Sequence, residues 1–203
     1  KTGIEAALQL KEQLGGTVTV VSMGPPQADV ALREALAMGC DEAYLVSARE
    51  FGGSDTYATS GIIAAALKKI GYDLIITGRQ AIDGDTAQVG PQIAEKLHLP
   101  QVSYVEEVVE AAADHVVVKR QFEDGYHIIK IKTPCLLTAI AELATPRYMS
   151  VRGIVEAYEK EIKVLGFEDL KDGLELDMIG LKGSPTNVYQ SFTKEVKGAG
   201  TIL

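Results

Sequence analysis

Residues 73–97 read DLIITGRQAIDGDTAQVGPQIAEKL, and the reading of this stretch decides the fold. Its first five residues form an apolar, β-branched run, as expected of a strand covered on both faces. Its end, QIAEKL, resumes a helical spacing. Between them lie residues rich in Gly, Asp and Thr, a long way to travel for a simple strand-to-helix connection.

The chain before this stretch repeats the same alternation. Helical spacing over 3–14 leads to the strand TVTVVS (17–22), a helix over 27–38 ending at Gly39, the strand AYLVS (43–47), and a helix over 58–70 ending at Gly71. Strands alternating with helices of this length require crossover connections, so the expected class is α/β: a parallel sheet with helices on both faces. Ile4, Ala7, Leu8, Leu10 and Leu14 are in helical register from the outset, as though a strand belongs ahead of Lys1.

After His98 the rhythm changes. VSYVEEVVEA (102–111), DHVVVKRQF (114–122) and YHIIKIK (126–132) read as strands, with EDG (123–125) as the turn of a β-hairpin extension, followed by the apolar run PCLLTAI (134–140). A short helix is expected at 151–159. From Glu161 hydrophobic residues stand isolated among Lys, Gly, Asp and Ser, which divides the chain into an α/β domain over 1–160 and an extended C-terminal arm over 161–203.

The 28 acidic residues exceed the 20 basic ones, for a net charge of −8, which argues against a nucleic-acid or anionic-lipid surface and favours small molecules and proteins as partners. Cys40 and Cys135 lie far apart, outside any CxxC spacing, and read as buried small hydrophobes in a reducing compartment. His98, His115 and His127 show no metal-ligand spacing, so no metal is expected. No apolar run approaches the roughly 20 residues of a membrane span.

Open parallel sheets bind ligands beyond the carboxyl ends of their strands, where amides of the following turns and helices point outward. Three loops should meet there: SMGPPQ (22–27), REFGGSDTYATS (49–60) and TGRQAIDGDTAQVGP (77–91). In the third, Gly78, Gly84 and Gly90 permit close backbone approach, and Thr86 and Gln88 offer side-chain donors. Pro91 suits a first helical turn, which leaves the amides of 86–90 free for an anion. Asp83 and Asp85 oppose a phosphate unless they cap the turn or accept from ribose hydroxyls, with Arg79 offsetting their charge. Residue types alone leave a nucleotide site and a structural loop both open, since neither GxGxxG nor GxxxxGK[ST] occurs. Ser54 or Asp55 is in turn a natural N-cap for the helix that follows. No nucleophile–base pairing suggests itself, so any redox chemistry must be carried by a bound cofactor.

TGRQAIDGDTAQVGPQIAEKL closely resembles the adenine-nucleotide loop of the β subunit of electron-transfer flavoproteins, and VVVKRQFEDGYHIIKIKTPCLLTAIAE resembles that family's second diagnostic segment. ALREALAMGCDEAYLVS and TPRYMSVRGIVEAYEKEI match in register as well. The resemblance implies a flavodoxin-like or adenine-nucleotide α-hydrolase-like domain in a heterodimer, whose α subunit binds the redox FAD and is embraced by the arm. It places AMP, or a second FAD in electron-bifurcating members, on Met23 and the run Gly78 through Val89 (Gly78, Arg79, Gln80, Asp83, Gly84, Asp85 and especially Ala81, Thr86, Ala87, Gln88 and Val89), with Gly90 expected beside it. Gly24, Asp55, Thr56 and Thr59 are the contacts expected from the first two loops. The form GDTAQVGP with SDTYATS looks like the members that hold a second FAD, which would take hydride from NADH.

The family's partner-recognition loop falls on Pro146 to Gly153, with Val151 at the anchor where many relatives carry Leu, flanked by Tyr148 and Arg152. It implies docking to an acyl-CoA dehydrogenase or related flavoenzyme, in the cytoplasm or, alternatively, the mitochondrial matrix. Ile162, Val164, Leu165, Phe167 and Leu170 are expected to bury on the α subunit, with KGSPTNVYQSF (182–192) extended. A non-bifurcating subunit with structural AMP, and an adenine-nucleotide sensor or scaffold without a redox role, are the competing readings.

Overall fold

A computed structural model describes residues 1–193. In chain order the elements are α1 (Thr2–Leu14), β1 (Thr19–Met23), α2 (Asp29–Met38), β2 (Glu42–Val46), α3 (Thr56–Ile70), β3 (Leu74–Gly78), α4 (Val89–Leu97), β4 (Gln101–Ala111), β5 (His115–Gln121), β6 (Tyr126–Lys132), β7 (Cys135–Ala139), α5 (Val151–Glu159), β8 (Ile162–Leu165), α6 (Phe167–Leu170) and α7 (Gly180–Gly183). The class is α/β, with parallel strands flanked by helices.

Strand alternation explains the layering. On β2, Ala43 and Leu45 join Leu32 and Leu36 of α2 and Ala157 of α5, whereas Val46 joins Ile62 and Ala66 of α3 on the other face. On β3, Ile75 packs with Ala64, Leu67, Ile93 and Ala94 beneath α3 and α4. Ile76 points the opposite way, so close to α1 that a Cβ on Gly3 would lie 3.1 Å from it. A period of two therefore sends successive side chains to opposite helix layers. Burying a large aliphatic side chain such as Leu32, Ile62, Ile93 or Leu136 contributes about 1.5–3 kcal/mol each.

The expected parallel strands are present, and among the described residues they fall into two hydrogen-bonded groups. β1, β2 and β8 form an all-parallel sheet in the order β1-β2-β8. The second runs β3-β7-β4-β5-β6, with β7 parallel to both β3 and β4, and the β4–β5 and β5–β6 pairs antiparallel. β7 takes the inner position because all five of its residues are buried, the environment its apolar sequence requires. Val21 of β1 packs into the clusters beside both sheets. The hairpin turns as expected, Phe122 N–H donating to Gly125 O across 122–125.

The stretch after Glu161, expected to stand off as an arm, begins inside the domain. β8 pairs with β2 from Ala43 to Val46, and Leu165 and Leu170 are buried among Val46, Phe51 and Ile62. Along β8, alternation sends Leu165 to the buried cluster, while Ile162 and Val164 share the opposite face, where Ile162 is half-buried against the α2 side and Val164 is exposed. Four residues too few for a clear period explain why the sequence conceals this strand. Of the run 182–192 expected to be extended, Lys182 and Gly183 belong to α7; past it, residues 184–193 carry no regular structure and leave Val188, Tyr189 and Phe192 exposed. The remainder of the expected arm, 194–203, lies outside the described residues.

Candidate functional site

β1, β2 and β3 end at Met23, Val46 and Gly78, and the three loops named above leave from there. Gly24 N–H donates to Val46 O at 3.1 Å, tying the first loop to the end of β2. Gly24 is closely approached, since its Cβ would meet Ala28 Cβ at 3.1 Å.

In the second loop Asp55 is the N-cap of α3, its Oδ1 accepting from Ala58 N at 3.0 Å. The helix therefore starts at Thr56, two residues ahead of the expected 58. Asp55 Oδ2 accepts from both the amide (3.0 Å) and the hydroxyl (2.7 Å) of Thr186. Burial alone would raise this carboxyl, but the donors from Ala58 and Thr186 outweigh it and hold Asp55 below the ordinary aspartate range. A carboxylate so occupied positions its loop and has little left to offer a ligand. Thr59 N–H is spent on Asp55 O.

The third loop crosses from β3 to α4. Arg79 N–H donates to Ala139 O, and its guanidinium lies 5.8 Å from the Tyr104 ring. Asp85 N–H closes a turn onto Ala81 O, while the Asp85 carboxylate accepts from the Gln80 side-chain amide. Residues 81–86, including Ile82, Asp83 and Gly84, are exposed. Among the described residues the amides of Thr86, Ala87, Gln88, Val89 and Gly90 meet no protein acceptor. Gly90 presses onto the sheet, where a Cβ would lie 2.6 Å from Thr77 Oγ1 and 2.9 Å from Thr138 Cγ2. Thr77 Oγ1 itself is buried without a hydrogen-bond partner.

The second and third loops are joined: Thr56 Oγ1 donates to Gln88 Oε1 at 2.8 Å, and one turn further Ser60 Oγ lies 3.2 Å from Gln92 Oε1. Two helix N-termini consequently open side by side, and their dipoles add to the unspent amides in favouring an anion. Asp85 (φ 50°), Ala87 (φ 53°) and Tyr104 (φ 60°) are left-handed without being glycine. Among the described residues the other such residue, His98, simply ends α4. Backbone strain is thus concentrated on this edge, as it is at many ligand sites. Thr77 and Thr138 lie within the quoted segments, but the sequence does not single them out as site residues, nor Tyr104 and Thr186; their part is visible only once β7 is seen between β3 and β4 and residue 186 is seen against Asp55. Among the described residues no group of three His, Cys, Asp or Glu side chains gathers as a metal site, and no helix is long and apolar enough to cross a membrane.

A second feature lies far along the chain. Tyr148 and Val151 are 101% and 81% exposed, and Ile154, Val155 and Tyr158 extend the stripe along α5. Arg152 is exposed and held by Glu156 at 2.6 Å. The other side of α5 is pinned to α2, where Gly153 sits so near Ala37 O that a Cβ would approach to 2.7 Å. Ser150 caps the helix through Gly153 N. Arg147 holds the preceding loop by donating to Glu5 and Glu12 on α1.

Against known proteins, a family model described as the electron transfer flavoprotein domain matches residues 2–170. The "Acryloyl-CoA reductase electron transfer subunit gamma" of Anaerotignum propionicum is 57% identical over 208 residues, covering 100% of this chain and 78% of the relative. The "Electron transfer flavoprotein subunit beta" of Clostridium acetobutylicum is 56% identical over 203 residues, covering 100% and 77%. The "Caffeyl-CoA reductase-Etf complex subunit CarD" of Acetobacterium woodii is 53% identical over 202 residues, covering 98% and 76%.

Proposed function

This chain belongs to the electron transfer flavoprotein family, as a β-type subunit acting in electron transfer, and from that premise we propose that its carboxyl edge holds an adenine nucleotide that is an FAD. The observation that carries the reading is the row of amides at 86–90 with no protein acceptor, beside the Thr56–Gln88 bridge. A pyrophosphate needs more donors than a monophosphate, and this edge offers the amides with the hydroxyl of Thr86 and the side-chain NH2 of Gln88, which Thr56 holds in place. The objection from acidic residues is weakened, because Asp55 and Asp85 are occupied by Thr186, Ala58 and Gln80.

In this reading the amides of Thr86 to Gly90 bind phosphate oxygens, and the Gly90 contact with Thr77 and Thr138 fixes the start of α4 that presents them. Met23, Gly24 and Gly78 bring backbone close to the ligand, and Arg79 offsets the charge of Asp83. Bound FAD supplies the capacity to accept a hydride from NADH and pass electrons on singly. The protein groups bind and orient; none is required to move a proton.

Two of the similar proteins carry the names of reductases of CoA thioesters, acryloyl-CoA and caffeyl-CoA. That supports a bifurcating role for this chain, in a heterodimer with a flavin-bearing α subunit in the cytoplasm. The exposed stripe from Tyr148 and Val151 to Tyr158 then docks a flavoenzyme of the acyl-CoA dehydrogenase class. Denaturing the purified heterodimer and counting the released nucleotides tests the proposal. Two FAD per heterodimer is expected; one FAD with one AMP removes the bifurcating role, and no released adenine nucleotide at this site removes the nucleotide reading.

A further inference from the structure

Residues 176–187 do not merely trail past the nucleotide edge. Leu181 N–H donates to Gly52 O at 3.1 Å and Gly180 N–H to Ser54 Oγ at 3.1 Å. Asp55 N–H donates to Ser184 Oγ at 2.8 Å, and that hydroxyl in turn donates to Gly180 O at 2.7 Å, with Ser184 itself buried. Thr186 completes the clasp through its amide and hydroxyl on Asp55 Oδ2. Leu181 Cβ sits where a Cβ on Gly53 would approach to 3.0 Å, so the loop is gripped by packing as well as by polar contacts.

This clasp is linked to the candidate loop. Thr186 holds Asp55, Asp55 caps α3, and Thr56, the first residue of α3, bonds Gln88 at the start of the unspent amides. Beyond Thr186 the chain runs immediately into the exposed Val188, Tyr189 and Phe192. Three consecutive links therefore connect an exposed apolar tail to the loop that presents amides to an anion.

We propose that Thr186 is a positioning residue for the nucleotide site: its double hydrogen bond to Asp55 sets the orientation of Thr56 and Gln88, so that seating of the tail and binding of the nucleotide favour one another. The inference rests on the nucleotide reading of the edge and adds to it a coupling between two separate parts of the chain. Coupling between sites is reciprocal, so a tail held in place tightens the nucleotide, and a bound nucleotide holds the tail.

The test uses the full chain in complex with its flavin-bearing partner, stripped of nucleotide and titrated separately with AMP and with FAD. T186V, which keeps the shape and loses the hydroxyl donor, is expected to bind about fivefold to tenfold more weakly than wild type, a modest coupling. T186S restores the donor and is expected to restore affinity, which a purely steric role would not do. As a second measurement, saturating nucleotide is expected to slow tryptic cleavage after Lys182 in wild type and not in T186V. Equal affinities for wild type and T186V overturn the coupling alone. If the wild-type complex takes up neither AMP nor FAD, the nucleotide reading fails and this inference with it.

Discussion

Thr56, the first residue of α3, donates its hydroxyl at 2.8 Å to the side chain of Gln88, the residue that precedes α4. Thirty-two positions apart in sequence, these two residues hold two helix N-termini at one mouth. An exposed neutral hydrogen bond is worth about 0.5–1.5 kcal/mol net to folding, whereas a donor to a charged group is worth roughly 1.5–3 kcal/mol. Thr56 spends its one hydroxyl proton on Gln88, so the charged bonds fall to the amides it helps position; Thr56→Val is expected to leave the denaturant midpoint nearly unchanged and to weaken nucleotide binding by about tenfold. Calorimetric titration beside urea unfolding separates the two effects; a large stability loss with unchanged affinity removes Thr56 from the site.

Gly90 is constrained by packing, because its φ lies outside the left-handed region and any side chain collides with Thr77 and Thr138. Gly90→Ala is expected to destabilise by about 1–3 kcal/mol, the usual cost of overpacking, and to tilt the start of α4 away from β3. Thr77→Ala removes the nearer obstacle, Oγ1 at 2.6 Å, so G90A/T77A is expected to recover part of the loss. A double-mutant cycle by urea unfolding reads the coupling, and strict additivity contradicts the contact.

The alternation of strand and helix from Thr2 to Leu97 was legible because each element is long enough to show its period, and boundaries shifted by only one or two residues. Sheet order was not legible. β7 enters between β3 and β4 through contacts more than thirty residues away, and nothing local in PCLLTAI says which neighbours its buried edge will find. The candidate loop was visible through Gly, Thr and Pro, whose backbone preferences act locally. Its supports, Thr77, Thr138 and Thr186, act across space and leave no spacing to read. Asp55 shows both sides: its cap to Ala58 follows from sequence, its bond to Thr186 does not.

Glu5 is 4% exposed and takes Arg147 by its amide, Nε and Nη2. The hydrogen bond from the Arg147 side chain holds the Glu5 carboxyl below the ordinary glutamate range, against the opposing effect of burial. A folded-state value lower than the unfolded one means that the stabilisation is fully present above the unfolded value and is lost as pH falls through the folded value. Unfolding free energy should thus fall with acid below the ordinary glutamate value of about 4.3, and this contribution should vanish in Glu5→Gln. Arg147→Met leaves a buried carboxylate unpaired and is expected to cost about 2 kcal/mol or more at neutral pH, since the guanidinium is partly exposed. It should also loosen the loop carrying Tyr148, read as faster amide exchange at 148–150.

Burial pushes the thiols of Cys40 and Cys135 up to about 11, with Asp41 adding to the effect at Cys40. Thiolate is the reactive form, so little of it exists at neutral pH. Both thiols are expected to react with an aromatic disulfide reagent at the rate of unfolding rather than the rate of the free thiol. A fast native-state reaction at pH 8 contradicts the burial of both side chains.

The position of β8 separates two truncations that the sequence would treat alike. Ending the chain after Glu161 removes β8 from the edge of β2 and takes Leu165 and Leu170 out of the cluster around Val46, Phe51 and Ile62. Each lost leucine corresponds to about 1.5–3 kcal/mol, so this truncation is expected to lower the unfolding midpoint sharply or prevent folding. Ending after Asn187 keeps β8, the Asp55–Thr186 bonds and both buried leucines, and it removes only residues beyond the clasp, among them the exposed Val188, Tyr189 and Phe192. That shorter truncation should melt like the full chain. If the exposed tail docks on the α subunit, it should also weaken heterodimer formation by more than tenfold in sedimentation or titration. Full-strength association after the cut at Asn187 shows that the tail has no part in binding α, while a folded and stable chain after the cut at Glu161 contradicts the place of β8 in the core.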